Sequence, residues 1–500
     1  MRMKDRWRFF VGILLVSLAL GAPVTSVQAN AWEVIAPGIA YQEFRLPGPN
    51  RAFVARMDID NPNVTIESSL AQGKLVDGRE TVSDMAERYD QAINTWQVVG
   101  DNTTSASAWG ARNQVAVAIN GSFFDLETGV PSGGMIQSGW YIKRFGHLGG
   151  GSGVAWNRDR SIFIGGCIAN ESDDLMLTNL YTGEILPIHG INSKRKTNKI
   201  ILYTHQYDRD SHRGDKGIEI LVEMTSPLGA QIHPEMTLGI VRKISMADGS
   251  IPIPFDHIVL SARGDITDEV KAKLRIGDVV GISLEITHLS KDCSDSNPTD
   301  WTETYTTIGD SFHFLKDGEI QRFDDLGATE RHPRTAICYN EDYIYFVVVD
   351  GRRSGYSVGM TTDELGAFCR DTLDADWGVN QDGGGSSTMW VMGEVMNKPS
   401  DGSERTVANG LMMVVVEPMQ QSTRFRAGDA VVVEQSTNLH LGPGTNYQAF
   451  TSVAEGTHGS IMPHLNGVNG VLAKGAFWWK VQFDGQIGWI DESFISQHSE

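Results

Sequence analysis

Apolar and polar residues alternate with a period of two over much of this chain, in short runs bounded by Gly, Pro, Asn and Asp. This is the pattern of strands joined by turns. Ile35–Ile39 and Ala52–Ile59 read as strands, and Val64–Leu70 follows a turn at Asn61-Pro62-Asn63. Val115–Ile119 is a continuous run of small apolar residues, the mark of a strand buried on both faces, and it delivers Asn120-Gly121-Ser122-Phe123-Phe124-Asp125 at its end. Short β-like runs such as Ile218–Val222 and Val279–Ile286 alternate with turns between Leu175 and Leu289. The polar stretches at 94–113 and 290–304 read as loops. Phe312–Ile320 is a hairpin turning at Asp317-Gly318, and Tyr343–Val349 is the strongest β-run of all. In two places the period becomes helical. Glu80–Tyr89 puts Val82, Met85 and Tyr89 on one face, with Thr81 or Ser83 as cap. Thr362–Asp374 turns Leu365, Phe368, Cys369 and Thr372 or Leu373 inward, with Thr361 or Thr362 as cap and Asp363 and Glu364 in the first turn. From Arg424 on, short strands and turns give the pattern of a small all-β barrel. The elements together predict an α+β fold class: a mixed β-sheet domain with packed helices, followed by that barrel.

Five hundred residues exceed a single small core, so two or more domains are expected. Arg2, Lys4, Arg6 and Arg8, the apolar run Phe9–Leu20 and the small residues at Val27-Gln28-Ala29 read as a secretory signal over 1–29, which predicts a secreted or cell-wall-associated protein. Membrane association is expected only if that segment stays uncleaved. The net charge is −20, and loss of residues 1–29 takes it to −23, which argues against nucleic-acid partners. An anionic substrate must then be held by specific arginines. The cysteines are Cys167, Cys293, Cys338 and Cys369, and the sequence leaves all three pairings open. They form no C-x-x-C pattern, and His205, His212 and His233 lack metal-ligand spacing. No cofactor is expected, and no ligand spacing supports a divalent cation.

The chemistry gathers at the two Asp-Gly turns that bracket the second helix. Asp382-Gly383-Gly384-Gly385 is followed by Ser386, Ser387 and Thr388, so one carboxylate stands beside a backbone free of Cβ atoms and beside three hydroxyls. Exposed N–H groups next to hydroxyls suit an oxyanion. A glycine run alone reads equally as a flexible turn. Asp350 and Asp382 end consecutive elements and could come together as paired carboxylates of the kind glycoside hydrolysis uses. Arg334, Arg352, Arg353 and Arg405 lie in nearby turns and offer bidentate forks for phosphate, although any one of them taken alone reads as a surface ion pair. There is no G-x-S-x-G elbow and no phosphate-binding G-x-x-x-x-G-K loop, so serine-hydrolase and nucleotide readings have no support.

Residues 33–417 resemble the phosphodiester glycosidase domain. The resemblance is carried, in order, by Glu80-Thr81-Val82-Ser83, Ala118-Ile119-Asn120-Gly121-Ser122-Phe123-Phe124, Pro131-Ser132-Gly133-Gly134, His332-Pro333-Arg334-Thr335-Ala336-Ile337, Asp350-Gly351-Arg352, Asp382 to Thr388, Asn397-Lys398-Pro399-Ser400-Asp401 and Glu404-Arg405-Thr406-Val407-Ala408-Asn409. Gln381 stands where the family has leucine. Residues 425–497 resemble a bacterial SH3-like module, on Asn438 to Tyr447, Trp479-Lys480-Val481 and Gly488-Trp489-Ile490, behind a linker at 418–424.

These resemblances imply a hydrolase that cleaves the anomeric C–O bond of a sugar-1-phosphodiester bearing an N-acetylglucosamine-like sugar. They also imply that the C-terminal module contacts peptidoglycan or another cell-wall polymer. Asp382, Asp350 and Asn120 are the expected catalytic residues. Arg334, Thr335, Arg352, Gly383, Gly384, Ser386, Ser387, Thr388 and Arg405 are expected to hold the phosphodiester. The competing readings are a non-catalytic glycan receptor and a phosphodiesterase that cleaves P–O.

Overall fold

The structure is a computed structural model that describes residues 28–29, 31–89, 111–143, 152–166, 168–169, 175–212, 214–225, 233–246, 248–284, 287–288, 304–464 and 468–498. Residues 1–27 of the expected signal, Cys167, Cys293 and most of the two expected loops lie outside these residues.

The strands that position the site are β1 (Ile39–Leu46), β2 (Asn50–Asp58), β3 (Val64–Leu70), β4 (Ala111–Asn120), β5 (His313–Lys316), β6 (Arg334–Tyr339), β7 (Tyr343–Val349), β8 (Trp377–Asn380), β9 (Met389–Val391) and β10 (Asn409–Pro418). They form two stacked sheets, one in the order β1-β2-β7-β6-β8-β5 and the other β9-β4-β10-β3, each with short additional edge strands. Every pairing among these strands is antiparallel.

Strand periodicity assigns the side chains to faces. On β7, Ile344, Phe346 and Val348 enter the core between the two sheets, where they meet Val117 and Ile119 of β4 and Leu411 and Met413 of β10. The alternate residues Tyr345, Val347 and Val349 face outward onto Leu365, Phe368 and Leu373 of a helix at Thr362–Leu373. On the opposite outer face, Val115, Ala118, Met412 and Val414 meet Val82 and Met85 of a helix at Val82–Arg88. Each buried aliphatic or aromatic side chain contributes about 1.5–3 kcal/mol by leaving water.

This layering corrects the expected fold class. The chain is mostly β, and the described residues hold four short α-helices: α1 (Val82–Arg88), α2 (Ile266–Lys273), α3 (Leu326–Thr329) and α4 (Thr362–Leu373). A strand that is apolar on both faces implies cover on both faces, and that was read as a mixed sheet between helices. Here one cover is a second antiparallel sheet and the other a single helix. The helix starts follow the sequence closely. Thr361 caps α4 in a reciprocal box with Glu364, and Thr81 caps α1.

An eight-stranded sheet from Met176 to Leu284 forms a middle lobe around its own core. The C-terminal strands from Ala430 to Gln497 make a further antiparallel sheet, whose edge strands Ala449–Val453 and Ile495–Gln497 do not pair with each other. The small SH3-like barrel expected here is therefore not shown by the pairing. Its apolar surface is covered from outside: Phe255 of the middle lobe packs among Val468, Val471, Trp478 and Trp489, and its N–H bonds to the Leu441 carbonyl. Residues expected to form a linker pair with this sheet, Ser422 N–H to Gly470 and Leu472 N–H to Gln420. No helix among the described residues is long and apolar enough to cross a membrane.

Candidate active site

The site lies at one end of the sandwich, because the antiparallel registers bring the ends of different strands together there. Asn120, last in β4, faces Gly410 at the start of β10, and Ile119 faces Met389 at the start of β9. Val349, last in β7, faces Arg334 at the start of β6. The loops that leave these ends carry Asp350-Gly351-Arg352 and Asp382 to Thr388.

Asn120 holds the two sheets together at this point. Its Nδ2 donates to the Asp382 carbonyl at 2.6 Å, while Oδ1 accepts from the Thr335 hydroxyl at 2.8 Å and the Thr388 N–H at 3.2 Å. Asp382 N–H bonds to Gly121, Gln381 N–H to Thr335 and Gly384 N–H to Pro333. The backbone of the glycine run is thus fixed and is no hinge. Gly384 is left-handed at φ 64°, and a Cβ there would stand 3.2 Å from Arg352 Nη2. A Cβ on Gly385 would overlap the Asp401–Arg405 ion pair, whose Arg405 Nη2 lies 2.7 Å from Asp401 Oδ2.

Asp382 is half-buried, and its carboxyl pKa is raised. Burial is the main cause, opposed by the Ser386 hydroxyl, the Arg405 charge and the Gly383 N–H. Ser386 is itself fully buried and accepts from Arg405 Nη1 at 3.3 Å. Arg352 completes the rim. Its backbone is left-handed at φ 60°, a strained conformation for a residue with a side chain, and its guanidinium reaches over Gly384. Among the described residues this guanidinium has no hydrogen-bond or ion-pair partner, while the Arg352 N–H donates to the Val358 carbonyl at 3.3 Å. Neighbouring His332 has a lowered pKa, from burial first and then from the charges of Arg334 and Arg352.

Several expected site residues serve elsewhere. Arg334 is buried, and Nε donates to the Met360 carbonyl at 2.7 Å while Nη2 donates to the carbonyls of Gly327 at 2.7 Å and Glu330 at 2.9 Å. Its pKa falls to about 10 through burial. Through Nε and Nη2 it ties the Gly327–Glu330 segment to Met360 before α4. Arg334→Met leaves these carbonyls without donors and is expected to destabilise the fold by about 3 kcal/mol, measured as a lower urea midpoint. Asp350 is buried as well: Oδ1 accepts from Asn397 Nδ2 at 3.0 Å, and Oδ2 from the Tyr356 hydroxyl at 3.1 Å and the Lys398 N–H at 3.0 Å. Burial raises its pKa against these bonds. Asp350 therefore positions the 397–399 loop and is not a second free carboxylate. Thr335, Ser387 and Thr388 point inward and are buried.

Asn397 was not foreseen as a site residue. It accepts from Met389 N–H at 2.8 Å and donates to the Ser387 carbonyl at 2.9 Å, which locks the exit of the glycine run. Its only sequence signal was its place in one of the ordered matching segments. Among the described residues, no group of three His, Cys, Asp or Glu side chains could hold a metal ion.

One half-buried carboxylate on a rigid glycine run, with the guanidinium of Arg352 over Gly384 and that of Arg405 on Ser386, brings together cationic groups that suit an anionic ligand. The phosphodiester glycosidase family matches residues 263–414, a stretch that contains Asp350, Arg352, Asp382 and Arg405 but not Asn120. No protein of curated function matches the chain. Among solved structures, a hypothetical protein from Synechocystis is similar at 18% identity and a TM-score of 0.51, over 79% of this chain and 64% of that one. The chain thus spans less than two thirds of that neighbour, and the likeness is one of fold. The zebrafish N-acetylglucosamine-1-phosphodiester alpha-N-acetylglucosaminidase catalytic domain, auto-inhibited by its pro-peptide, aligns at 15% identity and a TM-score of 0.33, over 79% of this chain and 84% of that one.

Proposed function

We propose that this chain is an exported hydrolase that cleaves the bond between a sugar's anomeric carbon and the oxygen of a phosphodiester. The observation that carries the reading is Arg352: an unpartnered guanidinium, held in a strained loop, lies over Gly384 of the glycine run that the half-buried carboxylate of Asp382 opens. The match to the phosphodiester glycosidase family over 263–414 supports it.

In this reading Arg352 takes the phosphate, and Arg405 with Ser386 orients Asp382. Asp382 acts on the anomeric carbon, as nucleophile or as base for water. The departing phosphate monoester has a last pKa of about 6, so it leaves as an anion without a proton donor. Stabilising that charge is then the larger task, and a single carboxylate suffices. This agrees with the engagement of Asp350 elsewhere.

The test is hydrolysis of N-acetylglucosamine-1-phosphate methyl diester in ¹⁸O water. Label in the free sugar supports the proposal. Label in phosphate shows P–O cleavage, and absence of turnover across several sugar-1-phosphodiesters indicates a receptor; either result overturns it. The pH profile gives a second check. Asp382 must be ionised to act, so kcat/KM falls on the acid side with an apparent pKa above that of an ordinary aspartate. Arg405→Ala removes a charge that stabilises the carboxylate and is expected to move this limb to still higher pH. A limb that stays put or moves down separates Asp382 from the chemistry.

A further inference from the structure

The four cysteines allowed three pairings, and the fold brings two of them together. Cys338 lies on β6, on the face turned away from the inter-sheet core, and Cys369 lies on the inward face of α4. Both are fully buried, and their Sγ atoms are 2.7 Å apart. Burial is the first cause that raises the Cys338 thiol well above its ordinary value, followed by the neighbouring thiol. The pair therefore has none of the features of a reactive thiol site and fits a structural cross-link.

We propose that Cys338 and Cys369 form a disulfide in the mature protein and that it staples the loop carrying Arg352. The residues between them include the rest of β6, all of β7, the Asp350-Gly351-Arg352 turn and most of α4. Beyond Cys369 the chain runs through β8 directly to Asp382. The cross-link thus closes the segment that holds the phosphate-facing arginine and fixes it to the strand beneath. In the reaction two thiols lose two protons and two electrons to the disulfide of an oxidised dithiol carrier, which leaves as two thiols, and one S–S bond forms between Cys338 and Cys369. Export to an oxidising compartment supplies such a carrier. Oxidised glutathione serves the same role in a tube, so the geometry can be tested apart from the export reading.

The experiment is peptide mapping of the full chain after oxidation with glutathione disulfide, then denaturation in iodoacetamide without reductant. Trypsin releases Cys338 in the peptide 335–352 and Cys369 in the peptide 354–370. The expected result is one species that joins the two peptides and splits on reduction. Recovery of both peptides alkylated, or of either joined to a peptide bearing Cys167 or Cys293, overturns the proposal. Thermal melting gives an independent reading: reductant is expected to lower the midpoint of the oxidised wild type, and a Cys338→Ala/Cys369→Ala double variant is expected to ignore reductant. An equal response of both proteins to reductant sinks the idea. Because the mapping uses wild-type protein, a variant that fails to fold leaves the proposal testable.

Discussion

Asp382→Asn is expected to lower kcat on a sugar-1-phosphodiester by at least about a thousandfold, the scale seen when a group that acts on the reacting atoms is removed. The substitution keeps shape and volume, its amide oxygen can still accept from the Gly383 N–H or the Ser386 hydroxyl, and Asn120, Gly121 and Pro333 hold the backbone around it. Stability should therefore not fall. The sign follows from linkage. Burial raises the Asp382 pKa in the folded state, so its favourable contribution is complete below the unfolded value of about 3.9 and is lost as pH rises through the folded value. At neutral pH the ionised carboxylate is penalised by burial, and asparagine relieves that penalty. Circular dichroism melts alongside single-turnover kinetics check both halves. Wild-type turnover in the variant would remove Asp382 from the chemistry, whereas a lower melting point would recast it as a structural residue. Arg352→Ala is expected to act with it, lowering kcat more than it raises KM, since the charge it meets grows as the phosphate departs.

Lys480→Ala is expected to be the most damaging substitution to stability, costing about 3–5 kcal/mol. Lys480 is buried in the C-terminal sheet and reaches across to the middle lobe, with Nζ 3.1 Å from Glu223 Oε1 and 3.3 Å from Asp256 Oδ2. His464 adds a bond to the same Asp256 oxygen at 3.1 Å, and His257 one to Asp256 Oδ1 at 2.6 Å. Removing the lysine leaves two buried carboxylates facing each other. Asp256 is held well below, and Glu223 below, its ordinary value by Lys480 and His257 against burial, and Lys480 is raised by the two acids. The depressed acids stabilise the fold above their unfolded pKa values and lose this as pH falls through the folded ones. The raised lysine stabilises below about 10.4 and loses this as pH rises through its folded value. The clamp is thus complete at neutral pH and weakens at either extreme. Urea titration should show the loss, and adding Glu223→Gln and Asp256→Asn to Lys480→Met should recover most of it. A single Lys480 variant with wild-type stability would mean the two lobes do not depend on this contact.

The sequence determined the local features that act over a few residues. Capping and helical periodicity placed α1 and α4, the small apolar run Val115–Ile119 announced a strand buried on both faces, and Tyr343–Val349 read as the strongest strand of all. The ordered motifs pointed to the loops that carry Asp382, Arg352 and Arg405. What a strand buried on both faces packs against is not written in the strand itself, because a second sheet and a layer of helices bury the same side chains. Tertiary structure decided that question in favour of stacked antiparallel sheets.

It also divided the motif residues by role. Arg334 and Arg352 are both arginines in turns near glycine or proline, and nothing local tells them apart. Carbonyls from the Gly327–Glu330 segment and Met360, brought in by α3 and the loop before α4, engage Nε and Nη2 of Arg334, while a left-handed loop leaves the Arg352 guanidinium over Gly384. Asp350 and Asp382 looked alike as carboxylates before glycine. Asn397, Tyr356 and the Lys398 N–H, the first and last from a loop more than forty residues away in the chain, engage Asp350. Hydrogen-bond donors from distant segments set what a polar side chain is free to do, and only the assembled fold says which donors arrive.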